Sequence, residues 1–133
     1  MQQKFLVTAV VLGALAVALG AFGAHALKTL ISEKGLQVYE TAVKYQFYHA
    51  LALLATGILY KEFTNKFIKA AGRLFTLGTI LFSGSLYLLT IKEITNQDWL
   101  KFAGPITPTG GLFLVCGWAC LAAGILNQKN KQT

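Results

Sequence analysis

The amino-terminal part of this chain contains a long uncharged segment. The 23 residues from Phe5 to Leu27 include no Asp, Glu, Lys or Arg. As an α-helix, a segment of this length rises about 35 Å, which exceeds the ~30 Å hydrocarbon core of a bilayer. Its end, Ala24-His25-Ala26, resembles a signal-peptidase site, but the apolar part is longer than the usual ~7–15 residues of a signal peptide. We therefore expect a retained membrane-spanning helix.

The composition of the whole chain is also that of a membrane protein. Of its 133 residues, 55% are hydrophobic and 13% are charged, about half the ~25% charged share of soluble domains. The 12 Lys and Arg residues outnumber the 5 Asp and Glu residues, but they are scattered between apolar segments. This distribution predicts contact with anionic lipid headgroups on the cytoplasmic side and no nucleic-acid partner. We expect one membrane domain over residues 1–133.

Two apolar segments in the middle of the chain predict a second and a third span. Residues Tyr45–Tyr60 carry no charge, so a full crossing over 40–60 requires Lys44 to extend its ammonium group toward the interface. The segment Leu74–Ile91 is also uncharged and predicts a span over 70–91. Each crossing then reverses the direction of the one before it.

A turn with two prolines precedes the last apolar segment. Thr107 as N-cap and Pro108 at the first helical position predict a helix start, and the fourth span then covers residues 108–126. With a first span over 5–27 and a polar connection at 28–36, these segments predict an all-α integral membrane protein. Its architecture is an antiparallel bundle of four transmembrane helices.

Basic residues are more numerous at one set of span ends than at the other. The richer side holds Lys4, Lys61, Lys66, Lys69, Arg73, Lys129 and Lys131. The poorer side holds Lys28, Lys34, Lys44, Lys92 and Lys101. Because cytoplasmic loops carry the excess of Lys and Arg, we expect both termini in the cytoplasm, which is an N-in/C-in orientation.

Small residues recur at helix-packing intervals in the first and fourth spans. Every fourth position is small in the first span, at Ala16, Gly20 and Ala24. Every seventh position is glycine in the fourth span, at Gly110, Gly117 and Gly124. Such faces let helix backbones approach closely, within one bundle or between two. The leading functional hypothesis is an accessory or interaction protein that forms a homo-oligomer or joins a larger membrane complex through these faces.

The polar residues with candidate chemistry gather in the outer half of the predicted bundle. They are His25, Glu40, Lys44, Gln46, His49, Ser83 and Ser85. An ionisable residue within a span is costly, so it is a functional hypothesis by default. For His49, a structural hydrogen bond between helices and a proton- or ligand-linked role are both open. The second functional hypothesis is therefore a carrier or pore for a small solute, an ion or a lipid, built around His49.

One side of the third span is small and hydroxylated along its length. Its members are Gly72, Thr76, Thr79, Ser83, Tyr87 and Thr90, which fall within about 80° of one another on a helix of 100° per residue. Hydroxyl groups on such a face can bond to backbone or to neighbouring helices. They can also form the wall of a polar pathway.

Catalytic and metal-binding patterns are not found in this sequence. Cys116 and Cys120 lie one helical turn apart, but no CxxC or HxxxH spacing accompanies them, and apolar thiols commonly serve as packing groups. The 5 acidic residues lie in or beside the predicted loops and form no paired carboxylates. We therefore expect no enzymatic activity, no metal and no cofactor.

Four segments together resemble a known family. They are Gly20–Leu27 (GAFGAHAL), Thr41–Leu54 (TAVKYQFYHALALL), Phe82–Leu89 (FSGSLYLL) and Gly104–Gly111 (GPITPTGG). In these segments the chain is similar to the domain of unknown function 423 family of small bacterial inner-membrane proteins, which also resembles a small eukaryotic transmembrane protein. The resemblance implies a multi-pass protein of the bacterial cytoplasmic membrane with no established activity, and it transfers no catalytic residues.

Overall fold

The computed structural model describes residues 2–129, and within them the chain is helical. The long helices are α1 (Gln3–His25), α2 (Glu33–Leu59), α3 (Lys66–Thr95) and α4 (Ala103–Lys129). Short 3-10 helices at Leu27–Thr29 and Asp98–Phe102 precede α2 and α4. No strand occurs in this described part of the chain. Lys131, which contributes to the charge count above, lies outside it.

Local capping explains why α2 and α3 begin where they do. The Ser32 hydroxyl accepts a hydrogen bond from the Gly35 N–H at 3.0 Å, so α2 begins at Glu33 and takes in the last part of the expected polar connection. At the start of α3, Asn65 Oδ1 accepts hydrogen bonds from the N–H groups of Phe67 and Ile68 at 3.0 and 3.1 Å. Each cap satisfies N–H groups that have no partner within the helix.

The predicted start of the fourth helix at Thr107 and Pro108 is wrong. Helix α4 begins at Ala103, and Pro108 lies inside it. The preceding 3-10 helix, Asp98–Phe102, runs directly into α4, so the chain is already helical before the proline is reached. Pro105 falls in the first turn, where a missing N–H costs nothing, and Pro108 removes a single backbone hydrogen bond.

Consecutive helices pack against each other in antiparallel pairs, α1 with α2, α2 with α3, and α3 with α4. The first pair shows the arrangement most plainly. Leu6, near the start of α1, lies against Gly57 near the end of α2. Gly23, near the end of α1, lies against the Tyr39 ring near the start of α2.

The centre of the molecule is apolar, and so is much of its outer surface. Leu53, Ile68 and Phe75 are fully buried in the core. Large apolar side chains also cover the outside, and Val10, with 63% of its surface exposed, is typical. An apolar exterior suits lipid as the surrounding solvent.

Three described helical segments are long and apolar enough to cross a membrane: Gln3–Thr29, Lys66–Thr95 and Asp98–Asn127. Helix α2 has 27 residues, about 40 Å at 1.5 Å per residue, but it carries more polar side chains than the others. The chain is thus a four-helix integral membrane protein in which α2 and α3 supply the buried polar side chains. Its orientation across the membrane remains the prediction made from the Lys and Arg count.

Candidate functional site

Gln46 connects three helices from a buried position in the middle of α2. Its side chain is 4% exposed, and its amide Nε2 donates to the backbone oxygen of Leu12 on α1 at 2.9 Å. Its Oε1 accepts a hydrogen bond from the Tyr87 hydroxyl on α3 at 2.7 Å. Nearby, the Tyr39 hydroxyl donates to the Leu19 oxygen at 2.6 Å. Helix α1 is therefore held to the bundle through its own backbone carbonyls.

Both ring nitrogens of His49 bond to groups of the same chain. The indole N–H of Trp118 on α4 donates to His49 Nε2 at 3.2 Å. Because an indole nitrogen can only donate, Nε2 carries no proton. His49 Nδ1 lies 2.8 Å from the Tyr45 backbone oxygen, an acceptor, so this nitrogen holds the proton. The geometry assigns a neutral histidine that links α2 to α4.

The two serines of the predicted cluster bond to different helices. Ser83 Oγ donates to the Ala42 oxygen on α2 at 2.7 Å. Ser85 Oγ lies 2.6 Å from Thr107 Oγ1 on α4 and also donates to the Phe82 oxygen at 2.8 Å. The serines therefore join α3 to its two neighbours, and Ser85 is not part of the surroundings of His49.

The hydroxyl groups on the polar face of α3 bond to its own backbone or to α2, except that of Thr79. Thr76 and Thr90 donate to carbonyl oxygens one turn earlier, at 2.9 and 3.1 Å, which is the usual local bond of hydroxyl residues in helices. The Thr79 hydroxyl is buried without a hydrogen-bond partner. This pattern corresponds to the packing interpretation of the face rather than to a polar pathway.

The remaining members of the predicted cluster, His25, Glu40 and Lys44, are exposed. His25 is the last residue of α1. Glu40 and Lys44 lie one turn apart on α2 and line a cleft of about 300 Å³ between α1 and α2. The structure thus separates the seven predicted residues into a buried hydrogen-bonded set and an exposed set. The buried set is Gln46, His49, Ser83 and Ser85.

The glycines of α4 pack within the bundle. A Cβ atom at Gly117 would lie 2.8 Å from the Phe75 ring, and one at Gly124 would lie 2.5 Å from Ile68 Cδ1. At Gly110, a Cβ atom would collide with the backbone of Phe82. This face of α4 is therefore occupied by α3 and is not free for a partner.

On α1, the buried face follows a different spacing from the one predicted. Ala16 is buried and Gly20 lies against Val43 of α2, but Ala24 is exposed. The face that packs on α2 runs through Ala9, Gly13, Ala16, Gly20 and Gly23. Its alternating steps of four and three residues are those of left-handed helix packing.

A carboxylate of α3 lies at the start of α2, and no pattern in the sequence predicted this contact. Glu93 of α3 accepts a hydrogen bond from the Ser32 N–H at 2.6 Å, and a Cβ atom at Gly35 would collide with the same carboxylate. The hydrogen bonds from Ser32 lower the pKa of the Glu93 carboxyl. The sequence feature that could have indicated this contact is Gly35, because a glycine in the first turn of a helix can mark the close approach of another group to the backbone.

The described residues contain no group of three or more His, Cys, Asp and Glu side chains arranged to hold a metal ion. Cys116 and Cys120 are free thiols, the first exposed and the second partly buried. A soft metal needs more ligands than these two.

Comparison with known proteins identifies the family of this chain. Residues 19–111 match the family described as "Protein of unknown function (DUF423)". The chain belongs to this family. The match confirms the resemblance drawn from the four sequence segments, and no solved structure matches the DUF423 chain.

Curated relatives of this DUF423 protein are bacterial membrane proteins. It is 42% identical to a UPF0382 membrane protein of Staphylococcus haemolyticus over 116 residues, which cover 84% of this chain and 89% of the relative. It is 40% identical to the membrane protein YwdK of Bacillus subtilis over 117 residues, 87% and 90% of the two chains. It is 33% identical to the inner membrane protein YgdD of Escherichia coli over 132 residues, which cover 98% of this chain and 96% of the relative. The predicted bacterial inner-membrane location is confirmed.

Proposed function

We propose that this DUF423 protein is a non-catalytic accessory protein that docks a partner transmembrane helix on the exposed face of α1. The observation that carries the proposal is the one-sided attachment of α1. In its most apolar part, 11% of the residues are buried, against 39% for α3. A helix attached along one edge leaves its opposite face to lipid or to another protein.

The exposed face of α1 has the residue sizes that helix docking requires. It runs through Val7, Val11, Ala14, Ala18 and Ala21, all exposed. Their steps of four and three residues keep them on one side of the helix, opposite the face that packs on α2. Small residues at its centre allow a second backbone to approach closely, which favours association where lipid removes the hydrophobic drive.

This face replaces the Gly and Ala stripes that the sequence suggested for partner contact. Gly110, Gly117 and Gly124 already contact α3. Ala16 is 1% exposed and packs inside the chain. A partner therefore has access to Ala14, Ala18 and Ala21 but not to the stripe of α4.

The hydrogen bonding of the buried polar groups favours docking over a carrier or a pore. Gln46 uses both ends of its amide group, and His49 uses both ring nitrogens, in bonds to other parts of the chain. A permeating solute would have to break these bonds, which leaves buried polar groups unpaired at a high cost. The same bonds hold the helices together without a solute.

Steric blocking of α1 tests the proposal. Ala14→Leu/Ala18→Leu adds two bulky side chains to the exposed face, and both positions are open in the isolated chain. In native gels of membranes solubilised in mild detergent, we expect wild type to migrate above the monomer and this variant to migrate as the monomer. Ala55→Leu/Ala122→Leu, at exposed positions on α2 and α4, is the matched control. A wild-type monomer, or equal losses in both variants, would contradict the proposal.

A further inference from the structure

A continuous groove runs along the junction of α1 and α2, away from the face proposed for docking. Its upper part is the cleft of about 300 Å³ that contains Glu40 and Lys44. Its lower part is a second, apolar cleft of about 260 Å³. Val43 and Lys44 line both parts. The groove therefore leads from a charged end toward the interior of the membrane.

The packing of α1 on α2 builds the walls of this groove. Gly20 brings the two helices close, because a Cβ atom there would lie 3.3 Å from Val43 Cγ1. Tyr39 forms part of the upper wall and is fixed by its hydrogen bond to the Leu19 oxygen. The lower walls consist of Ala16, Val17, Phe47 and Tyr48. The groove is thus bounded by positioned side chains and open on its lipid side.

Polarity changes along the groove in a definite order. Glu40 lies nearer the start of α2, and Lys44 follows one turn, about 6 Å, deeper. The apolar cleft begins at Lys44 and continues along α1 and α2. From the membrane surface inward, the order is carboxylate, ammonium and hydrocarbon. Both charged side chains are exposed and line the upper cleft.

A phospholipid with an ethanolamine headgroup has the complementary order. From the surface inward it presents an ammonium group, a phosphate and acyl chains. We propose that the groove binds one such lipid, with Glu40 accepting hydrogen bonds from its ammonium and Lys44 donating to its phosphate. One acyl chain lies in the apolar cleft beside Val17 and Phe47. In the N-in orientation, this lipid belongs to the outer leaflet.

The charge pair selects this headgroup among common phospholipids. Phosphatidylglycerol offers a phosphate to Lys44 but brings no cation to Glu40. A choline headgroup carries a quaternary ammonium without N–H donors, so it cannot form the charge-assisted bonds that a primary ammonium forms. Free phosphate or free headgroup lacks the chains that fill the apolar cleft.

Native mass spectrometry of the full chain in mild detergent, with equal amounts of phosphatidylethanolamine and phosphatidylglycerol, tests the site. We expect one retained phosphatidylethanolamine. Glu40→Gln and Lys44→Gln should each weaken its binding about tenfold, the effect of losing one charge-assisted hydrogen bond. Glu62→Gln and Lys61→Gln, exposed in the turn that follows α2, should leave binding unchanged. Thermal unfolding of each variant verifies that it is folded.

A steric variant tests occupation of the groove without changing its charges. Ala24→Leu fills the upper cleft from α1 and should reduce lipid retention, whereas Ala122→Leu on the exposed side of α4 should not. Equal retention of the two lipids, or unchanged retention in Glu40→Gln, would overturn the proposal. So would full competition by glycerophosphoethanolamine, which carries the headgroup without chains. None of these outcomes bears on docking at Ala14 and Ala18, since that face is separate.

Discussion

At the scale of single residues, buried polar side chains act as cross-links between helices. Gln46 joins α1, α2 and α3, His49 joins α2 and α4, and Ser83 joins α3 and α2. Lipid offers such groups no hydrogen bonds, so each must find its partner inside the protein. These contacts compensate for the weak hydrophobic drive between helices in a membrane.

Gln46→Leu should destabilise the folded protein by about 1–2 kcal/mol, because it removes two hydrogen bonds and leaves the Tyr87 hydroxyl without its acceptor. Gln37→Leu is the matched control, since Gln37 is exposed on the same helix. The measurement is the free energy of unfolding in mixed micelles. Equal losses in both variants would show that the buried amide does not hold the helices together.

The Glu93 carboxylate should make stability depend on pH. Its pKa is lowered in the folded protein by the hydrogen bonds from Ser32, so its stabilising contribution is present above the unfolded pKa of about 4.3. The contribution is lost as the pH falls through the lower, folded pKa. The difference in Tm between wild type and Glu93→Gln should therefore be present at pH 7 and should shrink toward pH 3. A difference that grows on acidification would contradict this assignment, and Glu62→Gln serves as the exposed control.

At the scale of helices, the closest contact is that between α3 and α4. Gly110 allows the backbone of α4 to lie against the backbone of α3 at Phe82, and Leu114 in turn packs on Gly78. Gly84, by contrast, has no neighbouring atom within 4 Å of an added Cβ. Substitutions at Gly110 and Gly84 can therefore distinguish the energy of close helix packing from the intrinsic cost of glycine in a helix.

Gly110→Ala should destabilise the bundle by about 1–3 kcal/mol, because the added methyl group must displace backbone rather than a flexible side chain. Gly84→Ala should raise stability by about 0.5–1 kcal/mol through better helix propensity in open space. Unfolding in mixed micelles measures both. A similar effect of the two substitutions would mean that the helices do not approach each other at Gly110.

The sequence predicted helix number and approximate position but not which face of a helix is buried. Hydropathy alone locates the apolar segments. On α1, small residues occur on several sides, so spacing could not distinguish the packed Ala16 from the exposed Ala18 and Ala24. The predicted start of α4 was too late. The N-cap signal at Thr107 favoured a start at Pro108, but the chain already forms a helical turn before that residue.

The candidate site was predictable in composition but not in arrangement. The sequence places the residues of this site together in the outer half of the bundle, but Ser83 bonds to Ala42, seven residues before His49 on α2, which is about two turns, ~10 Å, away. The sequence gives neither the shift of α3 along α2 nor the rotation of each helix, and these decide that Ser85 bonds to Thr107 rather than joining His49. The partners of His49 and Gln46 are backbone oxygens and aromatic side chains, whose availability depends on packing between helices.

At the scale of the whole molecule, the described part of the chain contains buried polar groups that are hydrogen-bonded to one another or to its backbone. It also has two exposed features, the groove between α1 and α2 and the outer face of α1. We propose that the groove of α1 and α2 binds a lipid and that the outer face of α1 docks another helix. Neither proposal requires a path across the bilayer. We therefore expect an accessory protein that acts in the plane of the membrane.

Reconstitution into proteoliposomes tests this view against the carrier hypothesis. We expect proton and potassium fluxes no greater than those of protein-free vesicles, because the ring nitrogens of His49 and the amide group of Gln46 are held in hydrogen bonds. A flux that is present in wild type and disappears in His49→Ala would instead favour a carrier or pore.

The most direct test of docking on α1 is site-specific photo-crosslinking in native bacterial membranes. A photoreactive amino acid at Ala18 lies on the proposed docking face, and one at Leu112, which is 60% exposed, lies on α4 and outside this face. We predict a discrete crosslinked product, a second copy or one defined protein, from position 18 and none from position 112. Crosslinking to lipid alone from both positions would contradict it.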